Sequence, residues 1–329
     1  MNERPSFWHG RPVLVTGATG LVGGHLVASL LAAGSEVTVL IRDADLRTEL
    51  FRSGSARRVA TVNGALEDLA SIERAVAESE AGVVFHLGAQ TLVGVGVHDP
   101  ILTFESNVRG TYNLLEACRR HATAVERVVV ASSDKAYGPS ERPYREDDAL
   151  RASSPYDVSK TAADLIAQSY HATYGLPVAI LRCGNTYGGG DLNWSRIVPG
   201  TIRSFHLGEP PVIRSDGTFV RDYIHVKDVV AAYLCVAEAL GRDDVKGQAF
   251  NFASGDQVTV LEMVRAIADA MGGDLPKPRV LGIAKNEIKE QRLSTEKARR
   301  VLGWSPRVKL PDGLRETVAW YRAYLEDAR

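Results

Sequence analysis

Tyr156 and Lys160 stand four residues apart in Pro155-Tyr156-Asp157-Val158-Ser159-Lys160, a spacing that puts a phenol and an amine on one face of a helix. A phenol with a pKa of about 10 is no base at neutral pH unless a cation beside it stabilises the phenolate. Lys160 is placed to supply that cation. Upstream, Ser132-Ser133-Asp134-Lys135-Ala136-Tyr137-Gly138 closes an apolar run with a hydroxyl and two titratable side chains. Ser133 can share a hydrogen bond with the hydroxyl that Tyr156 deprotonates, and Asp134 with Lys135 adds an acid and a base beside it. The bland alternative for the last two is a surface ion pair on a loop. Asn107, in Asn107-Val108-Arg109-Gly110-Thr111, is a candidate for holding helix backbone and a water near Lys160.

A second constellation binds rather than reacts. Val13-Leu14-Val15-Thr16 runs into Gly17-Ala18-Thr19-Gly20-Leu21-Val22-Gly23 and then into a helical stretch ending at Gly34. A pyrophosphate can sit on helix N-terminal amides only where no Cβ intervenes, so Gly17, Thr19, Gly20, Leu21, Val22 and Gly23 are candidate dinucleotide contacts. The alternative is a plain glycine turn. After the second strand an acid would bridge the ribose hydroxyls of NAD, and an arginine would suit the 2′-phosphate of NADP. The chain reads Leu40-Ile41-Arg42-Asp43: Arg42 favours NADP, Asp43 can swing to the ribose, and both cofactors stay open. In His86-Leu87-Gly88-Ala89-Gln90, residues Leu87, Gly88 and Ala89 fall on the nicotinamide side by position and Gln90 on the substrate side. His86 is either a nicotinamide neighbour or a packed histidine capping its strand.

These groups need strands that end together. Pro12–Thr16, Glu36–Ile41, Val59–Asn63, Gly82–Leu87, Arg127–Ser132 and Pro177–Cys183 read as strands, with helical patterns between them. Val83-Val84-Phe85 and Val128-Val129-Val130 are apolar on both faces, which a central parallel strand covered by helices on each side requires. The reading is an α/β fold: a Rossmann-type doubly wound parallel sheet over residues 1–184, with a segment near 220–255 returning to it. Residues 185–329 form mainly a smaller α/β cap that binds substrate, with helices near Ser195–Leu207, Lys227–Leu240, Val260–Met271, Ser294–Leu302 and Pro311–Glu326. Pro100–His121 and Tyr156–Tyr174 read as two further helices with apolar stripes, set either inside the monomer or across a dimer axis.

Composition narrows the rest. The 329 residues are 45% hydrophobic and 24% charged, enough for a sizeable core and unlike a disordered or fibrous chain. A net charge of -1 leaves no positive field to hold nucleic acid or an anionic bilayer. Three dispersed cysteines, Cys118, Cys183 and Cys235, fit reduced thiols better than a disulfide frame or a zinc site. The expectation is a cytoplasmic protein with no metal; Met1–Pro5 carries no leader pattern, and no long apolar run suggests a membrane span.

The chain resembles extended short-chain dehydrogenase/reductases of the sugar-nucleotide epimerase and dehydratase group, within it the CDP-glucose 4,6-dehydratase branch above all. The likeness is carried by Phe7-Trp8-His9-Gly10, the Gly-x-x-Gly-x-x-Gly turn, Phe85 to Gln90, Ser133-Asp134-Lys135, Tyr156 with Lys160, Gly184-Asn185, Gly188-Gly189-Gly190-Asp191 and Leu302-Gly303-Trp304. It implies a tightly bound, recycled NAD, with Arg42 keeping NADP open, a nucleotide-diphosphate hexose as substrate and a homodimer. Ala65 stands where many relatives carry an aspartate that meets adenine, so that contact is either lost or made by backbone alone, and Leu66 beside it is a candidate cofactor contact. Asn185, Arg196, Arg221 and Arg292 become candidate diphosphate ligands, a role that planar guanidinium groups suit.

The resemblance also gives Asp134-Lys135 a meaning. A 4-epimerase removes a hydride at C4, turns the 4-keto sugar and returns the hydride. A 4,6-dehydratase must also take the C5 proton and protonate the departing C6 hydroxyl. By resemblance Lys135 is the C5 base and Asp134 the C6 acid. The function implied is a nucleotide-hexose 4,6-dehydratase, a hydro-lyase making a 4-keto-6-deoxy sugar, with a 4-epimerase or a non-catalytic NAD(P)-binding regulator as the alternatives.

Overall fold

Strands apolar on both faces are stable only between two helical layers, and the fold is built on that constraint. The computed structural model describes residues 6–283 and 288–327; Met1–Pro5, read above for a leader, lies outside them. One parallel sheet takes β1 (Pro12–Thr16), β2 (Glu36–Ile41), β3 (Ala60–Asn63), β4 (Val83–His86), β5 (Arg127–Ala131), β6 (Val178–Cys183) and the later β10 (Ala249–Phe252). Their order is β10-β6-β5-β4-β1-β2-β3, a doubly wound Rossmann-type arrangement as the sequence pattern predicts. Two small sheets follow: β7 (Asn185–Tyr187), β9 (Val220–His225) and β11 (Gln257–Thr259) in one, β8 (Val212–Ile213) and β12 (Arg279–Val280) in the other.

The helices are α1 (Leu21–Ala32), α2 (Glu49–Arg52), α3 (Leu69–Ser79), α4 (Val93–His98), α5 (Pro100–Phe104), α6 (Gly110–Arg120), α7 (Pro155–Tyr174), α8 (Ile197–His206), α9 (Val226–Ala239), α10 (Val260–Met271) and α11 (Leu310–Asp327). Alternate strand residues feed opposite layers: Val13, Val15, Val83 and Phe85 pack toward α1 and α9, while Leu14, Val84, Val128 and Val130 pack toward α3, α6 and α7. Each such side chain contributes about 1.5–3 kcal/mol by burial. A third core, with Ile202, Phe205, Tyr223, Met263, Ile267, Leu314 and Tyr321, joins α8, α10 and α11.

Two expected helices differ in detail. The stretch predicted as one helix over 100–121 is α5 and α6 joined by a wide π-type turn at Glu105–Arg109, which carries Asn107 into the interior. A one-residue widening leaves the apolar period almost intact, so periodicity does not register it. The helix expected near 294–302 shortens to a wide turn at Ala298–Leu302, ended by Gly303 at φ +67°. Among the described residues no helix is long and apolar enough to cross a membrane, and no cluster of His, Cys, Asp and Glu is set to hold a metal.

Candidate active site

The carboxyl ends of β1, β5 and β6 open on one cleft of about 1170 Å³, the edge where ligands sit in sheets of this topology. β1 delivers the glycine turn. Gly17 (φ +75°) is pressed against β4's exit, since a Cβ there would lie 2.6 Å from the Gly88 amide nitrogen. Gly20 has only the Gly17 carbonyl, 3.3 Å away, near its missing Cβ, and it faces the cleft with Thr19, Leu21, Val22 and Gly23. Helix α1 begins with neither a side-chain cap nor an acidic residue in its first turn. Its amides therefore point, unpaid by any side chain, at the place where a pyrophosphate would lie. The residues present fit a dinucleotide: Gly20, Leu21 and Val22 would hold its pyrophosphate, with Leu87 in the same lining, while Gly23 lets the turn close on the Gly17 carbonyl, which a Cβ would strike.

β5 ends in a tight turn, Asp134–Tyr137, whose first residue is capped by Ser133. Asp134 is 2% exposed; one carboxyl oxygen accepts from the Ser133 hydroxyl at 3.1 Å and the other has no partner. Lys135 and Asp134 both line the cleft together with Ser133, Tyr156 and Lys160. The surface-pair alternative does not hold: the two side chains turn inward and make no ion pair with each other. Ser154 caps α7 through the Asp157 amide, and Pro155 occupies the first turn, which sets Tyr156 at the helix entrance.

Burial sets the electrostatics of the site. Burial pushes the Tyr156 phenol up to about 12, and the groups that pull against burial are the Arg196 guanidinium and the Ser133 hydroxyl. Lys160 is instead committed to the Ala131 carbonyl at 2.9 Å, and burial lowers its own pKa to about 8 while Asp164 resists. Lys160 stays one helical turn along α7 from Tyr156, and Arg196, held by Asp191 at 3.0 Å, lines the same cleft from a later loop.

Family membership is settled by a model of the NAD dependent epimerase/dehydratase family, which matches residues 13–253. The chain belongs to that family. It is 30% identical to the CDP-glucose 4,6-dehydratase of Salmonella typhimurium, covering 97% of this chain and 93% of that one. It is 34% identical to the UDP-glucose 4-epimerase of Mycolicibacterium smegmatis, covering 94% and 98%. A dTDP-glucose 4,6-dehydratase from Streptomyces venezuelae, solved with NAD bound, superposes with a TM-score of 0.86 at 31% identity, covering 94% of this chain and 97% of that one.

NAD is accordingly the cofactor, which decides between the two left open. The structure supplies a physical reason to discount Arg42: it pairs with Asp43 at 2.6 Å, and neither lines the cleft. Asp45 and Thr48, which sequence reasoning passed over, do line it, and Asp45 holds Arg47 through two bonds of 2.9 Å. An acid that lines the cleft thus lies beyond β2, inside a loop whose spacing carries no motif.

Several other sequence-based assignments change place. Leu66 packs against the Gly88 and Gly110 backbone outside the cleft. Gly88 donates to the Thr16 hydroxyl at 3.1 Å and so supports the turn, and neither it nor Ala89 is in the cleft lining. His86 is the packed histidine: its ring bonds Thr16 at 2.9 Å and Thr111 at 3.1 Å, and burial lowers its pKa to about 3. Asn107 braces the Gln90 backbone and donates to the Ser159 hydroxyl at 2.8 Å, acting on Lys160's neighbour. Gln90 curls onto Leu92, and Arg292 pairs with Glu290, so neither reaches the cleft. Asn185, Arg196 and Arg221 do line it, and the Asn185 side-chain nitrogen is buried without a partner. Arg214, at the end of β8, is a further cleft cation that sequence reasoning missed.

Proposed function

We propose that the chain dehydrates a nucleotide-diphosphate hexose to its 4-keto-6-deoxy form. Identities of 30% and 34% to a dehydratase and an epimerase do not separate the two branches. The single observation that carries the reading is Asp134 with Lys135 inside the cleft, one Asp134 oxygen unpartnered beside Tyr156. An epimerase has no use for that pair, whereas elimination needs it.

NAD, when bound, supplies the hydride acceptor for C4 and the donor for C6. Tyr156 takes the C4 hydroxyl proton, with Ser133 beside the phenol and Lys160 one helical turn along α7. Lys135 then removes the C5 proton, which the C4 ketone has acidified, and Asp134 protonates the C6 oxygen as it leaves as water. A proton returns to C5 from Lys135, so the net change is loss of one water. Asn185, Arg196 and Arg221 serve the diphosphate, with the doubly wound part holding NAD and the later part the nucleotide sugar.

We extend the reading to assembly and location. Val97 and Ile101, 62% and 73% exposed, lie with Leu165 and Tyr112 on the α4–α7 side as an apolar face suited to a second copy of the chain. Three free cysteines suit a reducing cytoplasm. Product mass after incubation with CDP-, dTDP-, GDP- and UDP-hexoses tests the function. Loss of water supports dehydration; unchanged mass with inverted C4 supports the epimerase, and no reaction with any of them contradicts both.

A further inference from the structure

Behind the catalytic turn lies a buried polar network that the chemistry above does not use. Arg182 of β6 grips Asp164 of α7 with two bonds, Nε at 2.8 Å and Nη2 at 3.0 Å, and both side chains are almost fully buried. Its Nη1 donates to the Tyr137 hydroxyl at 2.7 Å and to the Glu146 carbonyl at 3.1 Å. The Tyr137 hydroxyl in turn donates to Asn251 Oδ1 of β10 at 2.7 Å, and its ring stacks on Tyr144 at 4.7 Å. Gln168 completes the set by donating to Asp164 at 2.7 Å.

The positions of these residues matter more than their number. Asp164 lies one helical turn beyond Lys160, and Tyr137 ends the turn that begins with Asp134 and Lys135. A second link runs beside the first: the Thr161 hydroxyl donates to the Ala136 carbonyl at 3.2 Å. None of Tyr137, Asp164, Thr161 and Arg182 lines the cleft. A buried ion pair is weak evidence for stability as such, since desolvation offsets much of the attraction. Its fixed fork geometry is well suited to hold two elements in register.

We propose that Arg182 is a positioning residue that locks the water-eliminating turn, through Tyr137, to the oxidising helix, through Asp164. This deepens the dehydratase reading and rests on it. Oxidation at C4 uses Tyr156 and Lys160 of α7 with Ser133, which precedes the turn at the end of β5, and so is less sensitive to a shift of Asp134–Tyr137 than elimination is. Elimination needs the turn and α7 to address adjacent carbons of one bound sugar, and a shift of about 1 Å there can cost up to a hundredfold in rate.

The test separates the two half-reactions. Tyr137→Phe removes the hydroxyl and keeps the stacked ring; Thr161→Val removes the second link in an isosteric side chain. With the nucleotide hexose that the unaltered protein dehydrates, the rise of reduced-nicotinamide absorbance in a single turnover reads oxidation, and product mass reads water loss. In Tyr137→Phe the first is expected to stay within about threefold while the second falls about tenfold or more, so that reduced nicotinamide accumulates. Thr161→Val shows the same split to a smaller degree, and carries the test if Tyr137→Phe does not fold. Equal slowing of both steps, or no change in either, overturns the positioning role while leaving the dehydratase reading intact. An unaltered protein that dehydrates no nucleotide hexose overturns the reading and the proposal together.

Discussion

Two adjacent pairs of opposite charge, Arg42-Asp43 and Asp134-Lys135, look alike along the chain, and both follow a buried parallel strand. The first is exposed, 58% and 75% by side chain, and its members pair with each other at 2.6 Å. The second turns into the cleft: Asp134 bonds Ser133, keeps one oxygen unpartnered, and leaves Lys135 to face the same space as Tyr156. What differs is the company at the strand end. β2 lies next to the outermost strand β3, and its exit leads into a solvated loop. β5 lies between β4 and β6, and its exit is closed over by α7 and the later segments. A charged dipeptide becomes chemistry when its partners in space, rather than in sequence, leave it unsatisfied.

The largest effect that could break this contrast is on turnover. Lys135→Ala and Asp134→Asn are each expected to slow water loss by about 10²–10⁴-fold. Arg42→Ala and Asp43→Asn should alter stability by less than about 1 kcal/mol, because exposed pairs contribute little. Product mass against time, with melting curves as control, compares them. Equal losses at both pairs would erase the distinction.

A second effect concerns stability and sharpens what burial does to a pair. Asp164→Ala strands the Arg182 guanidinium among fully buried neighbours and is expected to cost about 3–5 kcal/mol by denaturant unfolding. The exposed pairs offer no such lever.

The effect that is smallest near neutral pH is a titration. His86 is held neutral by burial, with its pKa lowered from 6.5 to about 3. Its folded pKa lies below its unfolded one, so the unfolded chain binds the proton first. Stability is complete above pH 6.5 and falls as pH drops toward 3, by up to about 1.4 kcal/mol per pH unit for this one group. Unfolding midpoints of the protein and of His86→Asn across that window should diverge as the solution is acidified. Parallel curves would remove His86 from the account.

Much of this was legible beforehand, for physical reasons. Two-sided apolar runs mark strands that helices must cover, so β1 to β6 fell within a residue or two of their observed bounds. The glycine turn was legible because close backbone approach leaves few residue types possible, and Asp134-Lys135 because it ends a central strand. Asp45 and Arg214 were not legible, since loop residues reach the cleft by tertiary routes that no period encodes. Gln90 and Arg292 show the converse, since local partners that no motif encodes claim their side chains. The wide turn at Glu105–Arg109 escaped because it alters hydrogen bonding without altering hydrophobic order.

The central claim, that Asp134 and Lys135 expel an oxygen from C6 while the C4 hydride waits, is tested most directly by following a deuterium label. With a nucleotide hexose labelled at C4 in ordinary water, nuclear magnetic resonance and mass of the product are expected to show water lost and the label at C6. A product of unchanged mass with the label still on C4 would contradict it.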